Sequence, residues 1–286
     1  MTTSNGRQST QDVFGPLISG QWVAEHIDAP DVRVIDLRWY LDHRSGHAAY
    51  LAGHIPGAVF VDLDGPITGR TGEGLHPLPQ LQNFERAMRD AGVNHHDRVV
   101  VYDDDGGFPA ARLWWLLRYF GHRTVAVLDG GLSQWPGALS TAESRHQGGD
   151  FIAKPPTTDR AIGYEDVRRL PPSVLLLDAR RPSRFRGEFE PREPRAGHIP
   201  GARNAHWRDN LGADQRFLSP EQLRHRFTSL GVRDGFEVVA YCGSGITACH
   251  NLLALELAGL PGGKLYPGSW SDWSYRPDAP AATGDA

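Results

Sequence analysis

Four apolar runs punctuate the chain without polar alternation: Val32 to Leu37, Val99 to Tyr102, Val125 to Leu128 and Val238 to Tyr241. Such runs suit strands covered on both faces, as in a parallel sheet. Between them lie stretches of helical periodicity, such as Ala110 to Phe120, and two helices are expected to stop at Gly121 and Gly259, residues suited to a C-terminal cap. The alternation predicts an α/β protein made of two tandem domains, each a small parallel sheet with helices on both faces.

The division into two comes from a repeat. Ala52-Gly53-His54-Ile55-Pro56-Gly57-Ala58 recurs letter for letter at Ala196-Gly197-His198-Ile199-Pro200-Gly201-Ala202. Val34-Ile35-Asp36 answers Leu176-Leu177-Asp178, Val99 to Tyr102 answers Val238 to Tyr241, and Trp135 answers Trp273. The segment before residue 159 is rich in Gly, Pro and polar residues. The expected organisation is an N-terminal domain over residues 16–141, a linker over 142–158, a C-terminal domain over 159–280 and a loose tail over 281–286.

Within Tyr241-Cys242-Gly243-Ser244-Gly245-Ile246-Thr247-Ala248 the strand ends at a cysteine, and a small-residue loop opens into a helix that reads as amphipathic. A thiol at a helix N-terminus, ringed by unobstructed backbone N–H groups, is favoured as a thiolate. The carboxyl end of a strand is also where open α/β sheets place their ligands. Cys249 falls with Ile246, Leu252, Leu253 and Leu257 on the face expected to pack, where a thiol is an inert small hydrophobe. In the first half the position answering Cys242 is Asp103, so that half reads as a catalytically silent copy that walls one side of the site.

These residues carry a resemblance. The two repeats, the paired AGHIPGA segments and the loop from Cys242 to Ala248 resemble the tandem-domain rhodanese sulfurtransferases over roughly residues 16 to 280. The loop looks most like that of 3-mercaptopyruvate sulfurtransferases, with Ile246 where valine is usual; thiosulfate-preferring members carry two cations where this chain has Gly243 and Ser244. The resemblance implies that Cys242 takes a sulfane sulfur, becomes a persulfide and passes the sulfur to a thiol or cyanide, with no metal or organic cofactor. The loop residues Gly243, Gly245, Ile246 and Thr247 would then hold the donor.

A neutral loop suits a monocarboxylate held by arginine better than the compact thiosulfate dianion. By resemblance Arg184 matches the family's substrate-binding arginine and Arg192 a second one, although this chain is one residue shorter between them and has Ser183 for a common glycine. Cleaving the C–S bond of mercaptopyruvate calls for proton transfer. The family's serine, histidine and aspartate match Ser244, His76 and Asp64, the Asp-to-His spacing being one residue longer here. His54 and His198 are duplicated in the half without a nucleophile and so read as structural, as do Asp36 and Asp178 at strand ends.

Composition narrows the alternatives. Net charge is −4, which leaves no footprint for nucleic acid or an anionic membrane. Met1-Thr2-Thr3-Ser4-Asn5-Gly6 lacks the apolar region of a secretory signal, and two cysteines make neither a disulfide scaffold nor a zinc site, so a cytoplasmic protein is expected. The 13 histidines are scattered without ligand spacing, and no metal site is expected. A cysteine phosphatase would need an arginine at position 248, which is alanine. The remaining alternatives are a thiosulfate:cyanide sulfurtransferase with an atypical loop and a non-catalytic binding scaffold. Expected partners are a small sulfur donor, 3-mercaptopyruvate or thiosulfate, and a thiol or cyanide acceptor, thioredoxin among them, to a chain that reads as a monomer.

Overall fold

The Val, Ile and Leu runs form the inner strands of two parallel sheets, seen in a computed structural model that describes residues 14–156, 159–260 and 263–285. The first six residues, residues 157–158 of the expected linker and residue 286 of the expected tail lie outside the described residues. The first module runs β1 (Leu17–Ile18), α1 (Gly20–His26), β2 (Val32–Asp36), α2 (Gly46–Ala52), β3 (Val59–Phe60), α3 (Leu81–Asp90), β4 (Arg98–Tyr102), α4 (Phe108–Tyr119) and β5 (Val125–Leu128). The second runs α5 (Tyr164–Arg168), β6 (Val174–Asp178), α6 (Pro182–Phe185), β7 (Arg203–Asn204), α7 (Pro220–Ser229), β8 (Glu237–Tyr241), α8 (Thr247–Leu257), β9 (Lys264–Leu265) and α9 (Ser269–Trp273). The sheet orders are β1-β5-β4-β2-β3 and β7-β6-β8-β9, every pair parallel. This is the expected α/β class, and β4 with α4 matches β8 with α8 across the repeat.

One buried ion pair explains the repeated sequence in both modules. Asp36, at the end of β2, accepts from the Arg38 backbone N–H at 3.0 Å and from its Nη2 at 2.7 Å. Arg38 Nη2 also donates to the carbonyl of Gly53, 2.8 Å away. The Tyr102 hydroxyl donates to Asp36 at 2.7 Å and accepts from Ile55 N–H at 3.2 Å. Asp178, Arg180, Gly197, Tyr241 and Ile199 repeat the device in the second module. The carboxylate and guanidinium therefore fasten the AGHIPGA turn to the sheet end. His54 and His198 spend Nδ1 on the carbonyls of Tyr50 and Phe185.

α8 departs from the expected amphipathic pattern: Ala248 through Leu255 are all buried, including His250 and Asn251. The reason is a second partner. α8 packs on α4 of the first module as well as on its own sheet and α7. α4 is buried from Phe108 through Leu117, starts ahead of the expected Ala110 because Pro109 fits the first turn, and gives way to Gly121 at φ 92°. A continuous apolar cluster runs from Val99 and Trp114 through Leu252 and Leu265, joining the two sheets through these helices. Each large apolar side chain buried there contributes about 1.5–3 kcal/mol.

The ends of each module are tied down. Residues 142–156 of the expected linker follow the first module, with Phe151 N–H donating to Val93 and Lys154 N–H to Phe120 at 3.1 and 2.8 Å. The expected loose tail is instead paired: His198 and Ala282 exchange backbone hydrogen bonds of 2.8 and 2.9 Å, as His54 and Ser140 do in the first module. The repeated turn needs an antiparallel neighbour for its polar groups in both copies.

Asp36→Asn removes the charge from a pair that is 0% and 5% exposed, leaving Arg38 uncompensated. The expected outcome is a loss of about 3 kcal/mol in urea unfolding. A loss below about 1 kcal/mol would show that the pair is dispensable.

Candidate active site

Cys242 sits at the carboxyl end of β8, 2% exposed, with its Sγ accepting the Gly245 N–H at 3.1 Å. α9 holds the loop from the other side. Cys242 N–H donates to Ser269 Oγ at 3.1 Å, and the carbonyls of Cys242 and Gly243 accept from Trp270 and Ser271 N–H at 2.9 and 2.8 Å. Ser269 adopts φ 54°, where its counterpart in the repeat, Gly131, stands at 63°. A non-glycine residue there costs about 1–2 kcal/mol, offset by the hydroxyl's bonds to Cys242 N–H and the Tyr266 carbonyl.

Gly245, expected among the donor-binding residues, does not border the cavity described below. At φ 79° it turns the loop, and a Cβ there would meet the Pro267 carbonyl oxygen at 2.7 Å. Its contribution is the N–H on Sγ. Cys249 is fully buried, its thiol donates to the Gly245 carbonyl at 3.3 Å, and burial pushes it up to about 12. It is a poor nucleophile.

The first module shows what the same loop does with a built-in anion. Asp103 accepts three backbone N–H groups, from Asp105, Gly107 and Ala110, at 2.8, 2.9 and 3.0 Å. Burial pushes its carboxyl up to about 7, against the pull of those three donors. The cradle is filled by the protein's own side chain.

A cavity of about 410 Å³ opens over Cys242 between the modules. Trp39, Tyr40, Leu41 and Phe108 line it from the first module, and Arg184, Arg192, Glu193, Cys242, Gly243, Ser244, Ile246 and Thr247 from the second. Arg184 Nε and Nη2 donate to Glu190 at 3.1 and 2.7 Å. Its remaining nitrogen faces the loop: a Cβ on Gly243 would lie 3.3 Å from Arg184 Nη1. Arg192 reaches across the modules, Nη2 donating to the Leu41 carbonyl at 2.8 Å. Glu193 is buried, with its carboxyl raised by burial and by nearby Glu190.

His76 and Asp64 come together as a pair, His76 Nε2 lying 2.9 Å from Asp64 Oδ1. Trp39 Nε1 donates to the other carboxylate oxygen at 2.7 Å. Because a carboxylate only accepts, Nε2 carries the hydrogen and Nδ1 the lone pair. Burial lowers the pKa of His76, which favours the neutral ring, and Nδ1 is buried without a partner among the described residues. The pair borders a second cavity of about 430 Å³ that shares Trp39, Tyr40, Leu41 and Arg192 with the first. Among the described residues no hydrogen bond joins His76 to Ser244.

The structure thus gathers Cys242, Ser244, Ile246, Thr247, Gly243, Arg184 and Arg192 in one cavity and puts His76 with Asp64 in the adjoining one. Sequence reasoning missed Ser269, Glu190 and Arg112, the last donating to the Gly245 carbonyl at 3.1 Å. Carrying the repeat as far as Gly131 would have singled out Ser269.

Two stretches of the chain, 19–138 and 164–276, match the rhodanese-like domain family. A Pseudomonas aeruginosa protein carrying a 3-mercaptopyruvate sulfurtransferase name is 46% identical over 281 residues, 94% of this chain and 98% of the relative. Mycobacterium tuberculosis SseB, which carries a thiosulfate sulfurtransferase name, is 39% identical over 284 residues, 94% of this chain and 98% of the relative. The crystal structure of the Escherichia coli 3-mercaptopyruvate sulfurtransferase SseA superposes with a TM-score of 0.80 at 34% identity, covering 90% of this chain and 99% of that one.

With its carboxyl raised from 3.8 to about 7 on folding, Asp103 makes the folded state bind the extra proton across that window, so its contribution to stability falls as pH rises from about 4 to about 7. Asp103→Asn is expected to remove this fall, measured as urea midpoints across that range. An unchanged pH slope would show that Asp103 folds already ionised.

Proposed function

The chain belongs to the rhodanese family, and from that premise we propose that it is a sulfurtransferase that moves sulfur from 3-mercaptopyruvate, through a persulfide on Cys242, to a thiol or cyanide. The observation that carries the donor is the uncharged Gly243-Ser244 pair beside Arg184: one guanidinium nitrogen, Nη1, is left facing the loop once Glu190 has taken the others. That arrangement suits a single carboxylate, with Arg192 on the opposite wall as a second contact. Gly243, Ile246 and Thr247 shape the cavity around the reacting sulfur.

In the first half-reaction the Cys242 thiolate attacks the donor sulfur. An S–S bond forms, the C–S bond breaks, and its electron pair goes to carbon as the enolate of pyruvate. A proton delivered to that carbon releases pyruvate, while the transferred sulfur gives up its own, so the proton count balances. We assign that proton to the Ser244 hydroxyl, since Ser244 lines the same cavity as Cys242, and the basic lone pair to Nδ1 of neutral His76, oriented by Asp64. The Gly245 N–H on Sγ and the α8 N-terminus favour negative charge on sulfur. In the second half-reaction the acceptor attacks the outer sulfur and Cys242 leaves as a thiolate.

Both cysteines are unpaired, which is in keeping with a reducing compartment, the cytoplasm, where we propose a thiol acceptor such as thioredoxin. Among the described residues no helix is long and apolar enough to cross a membrane. One chain supplies both walls of the cavity, in keeping with a monomer as the working unit.

Steady-state kinetics with both donors test the reading: kcat/KM is expected to favour 3-mercaptopyruvate, and a clear preference for thiosulfate would replace it with the thiosulfate:cyanide reaction. Mass spectrometry of donor-treated protein is expected to show one added sulfur on Cys242, and Cys242→Ser to abolish transfer by either donor. Activity surviving in that variant would leave the site without its nucleophile.

His76→Ala is expected to slow mercaptopyruvate turnover by about 10²-fold or more and thiosulfate turnover far less, because sulfite leaves without needing a proton. Equal losses with the two donors would make His76 a structural residue.

A further inference from the structure

Arg112, in the middle of α4, is 1% exposed and makes no ion pair with a carboxylate among the described residues. Its two terminal nitrogens go to backbone carbonyls on opposite sides of the module boundary. Nη1 donates to Gly245 at 3.1 Å and Nη2 to His76 at 3.0 Å. Gly245 is the residue whose N–H rests on Cys242 Sγ, so a single residue links the carbonyl held by the guanidinium to the N–H held by the sulfur. We propose that Arg112 is a positioning residue through which the silent module sets the Cys242 loop and supplies the fixed positive charge behind it. This rests on Cys242 as the sulfur carrier proposed above.

A buried arginine is costly unless its charge does something, because desolvation is repaid only by good partners. Here the partners are two neutral carbonyls and, 4.0 Å from Nη1, the Cys249 thiol, which burial keeps protonated, so the charge remains uncompensated and acts on its surroundings. It favours the thiolate and the persulfide anion on the loop, and it opposes protonation of His76, whose pKa it helps to lower. Both effects suit a nucleophile in one cavity and a base in the adjoining one.

The other buried cations around the loop are already matched. Arg184 is held by Glu190, and Arg180, behind it, by Asp178 and Glu190. At the cavity rim Arg208 pairs with Asp105. Arg192 is exposed to solvent, which screens it, and faces Glu193. His76 is paired with Asp64, and Cys249 keeps its proton. Arg112 is therefore the buried, unmatched cation at this site among the described residues. The fork geometry also sets the loop: it anchors the 245–246 peptide through its carbonyl, one Cα away from the Gly245 N–H that meets Sγ.

The test separates charge from scaffold with Arg112→Gln and Arg112→Lys. The pH midpoint of Cys242 alkylation by iodoacetamide is read alongside kcat/KM for 3-mercaptopyruvate and the urea midpoint. Arg112→Gln is expected to raise the alkylation midpoint by about one pH unit and to lower kcat/KM most at low pH. Arg112→Lys, which keeps the charge but loses the fork, is expected to hold the parent midpoint while kcat falls. A folded Gln variant with the parent midpoint, or equal midpoint shifts in both variants, would overturn the proposal. If the Gln variant does not fold, the Lys variant decides alone: a raised midpoint or an undiminished kcat overturns it. Alkylation needs no sulfur donor, so a wrong donor assignment would show in the kinetics and leave this result standing.

Discussion

The packing of α4 against α8 is the constraint on which the site depends. Each helix begins at the loop where its module's sheet ends, so laying one against the other brings both loops to one cleft. The contact is apolar along most of its length, but its active end is pinned by two reciprocal polar links. Arg112 of α4 donates to Gly245 of the second loop, and His250 of α8 donates through Nε2 to Gly106 of the first, 3.0 Å away. His250 is kept neutral by burial, its pKa pushed down to about 3, and its Nδ1 accepts from Asn210. Polar pairs inside an apolar interface fix its register, since sliding either helix by one turn would leave buried groups unmatched.

The duplicated loop shows how little separates a structural cradle from a reactive one. In the first module three N–H groups converge on the Asp103 carboxylate, and the loop is complete. In the second the side chain is shorter by an oxygen pair, and a sulfur takes the same position with one N–H on it. What a carboxylate fills, a thiolate carrying an extra sulfur can fill in its turn. Ser269 belongs to the same comparison: where the first copy accepts Gly131, the second tolerates a strained serine whose hydroxyl fixes the Cys242 peptide.

Local features were legible in the sequence because local chemistry produces them. The uninterrupted apolar runs became buried parallel strands, and the literal repeat of AGHIPGA marked one fastening device used twice. The Cys242 loop announced itself through residues that only a backbone approaching its ligand would need. What stayed hidden was made by one module acting on the other. Burial of α8 on all sides erases the periodicity that a single partner would have left, and the Arg112–Gly245 bond spans 133 positions with no pattern to flag it. The pairing of Ala282 with His198 depends on a strand edge that only the folded turn exposes.

Charge matching ties the donor to the loop. Arg184 is already committed to Glu190 on one edge, and its free nitrogen lies where a side chain at position 243 would begin. A cationic residue at that position would crowd the guanidinium and add like charge beside it, an arrangement that a dianion could stabilise and a monoanion could not. With glycine there, the proposed mode of binding puts one charge on the donor's carboxylate in the cavity and leaves the second, developing on the enolate, to be quenched by a proton. A neutral loop therefore calls for a proton path, which a donor with an anionic leaving group does not need. The His76–Asp64 pair lines the adjoining cavity, and Arg112, bonded to the His76 carbonyl as well as to that of Gly245, links that pair and the Cys242 loop through one buried guanidinium.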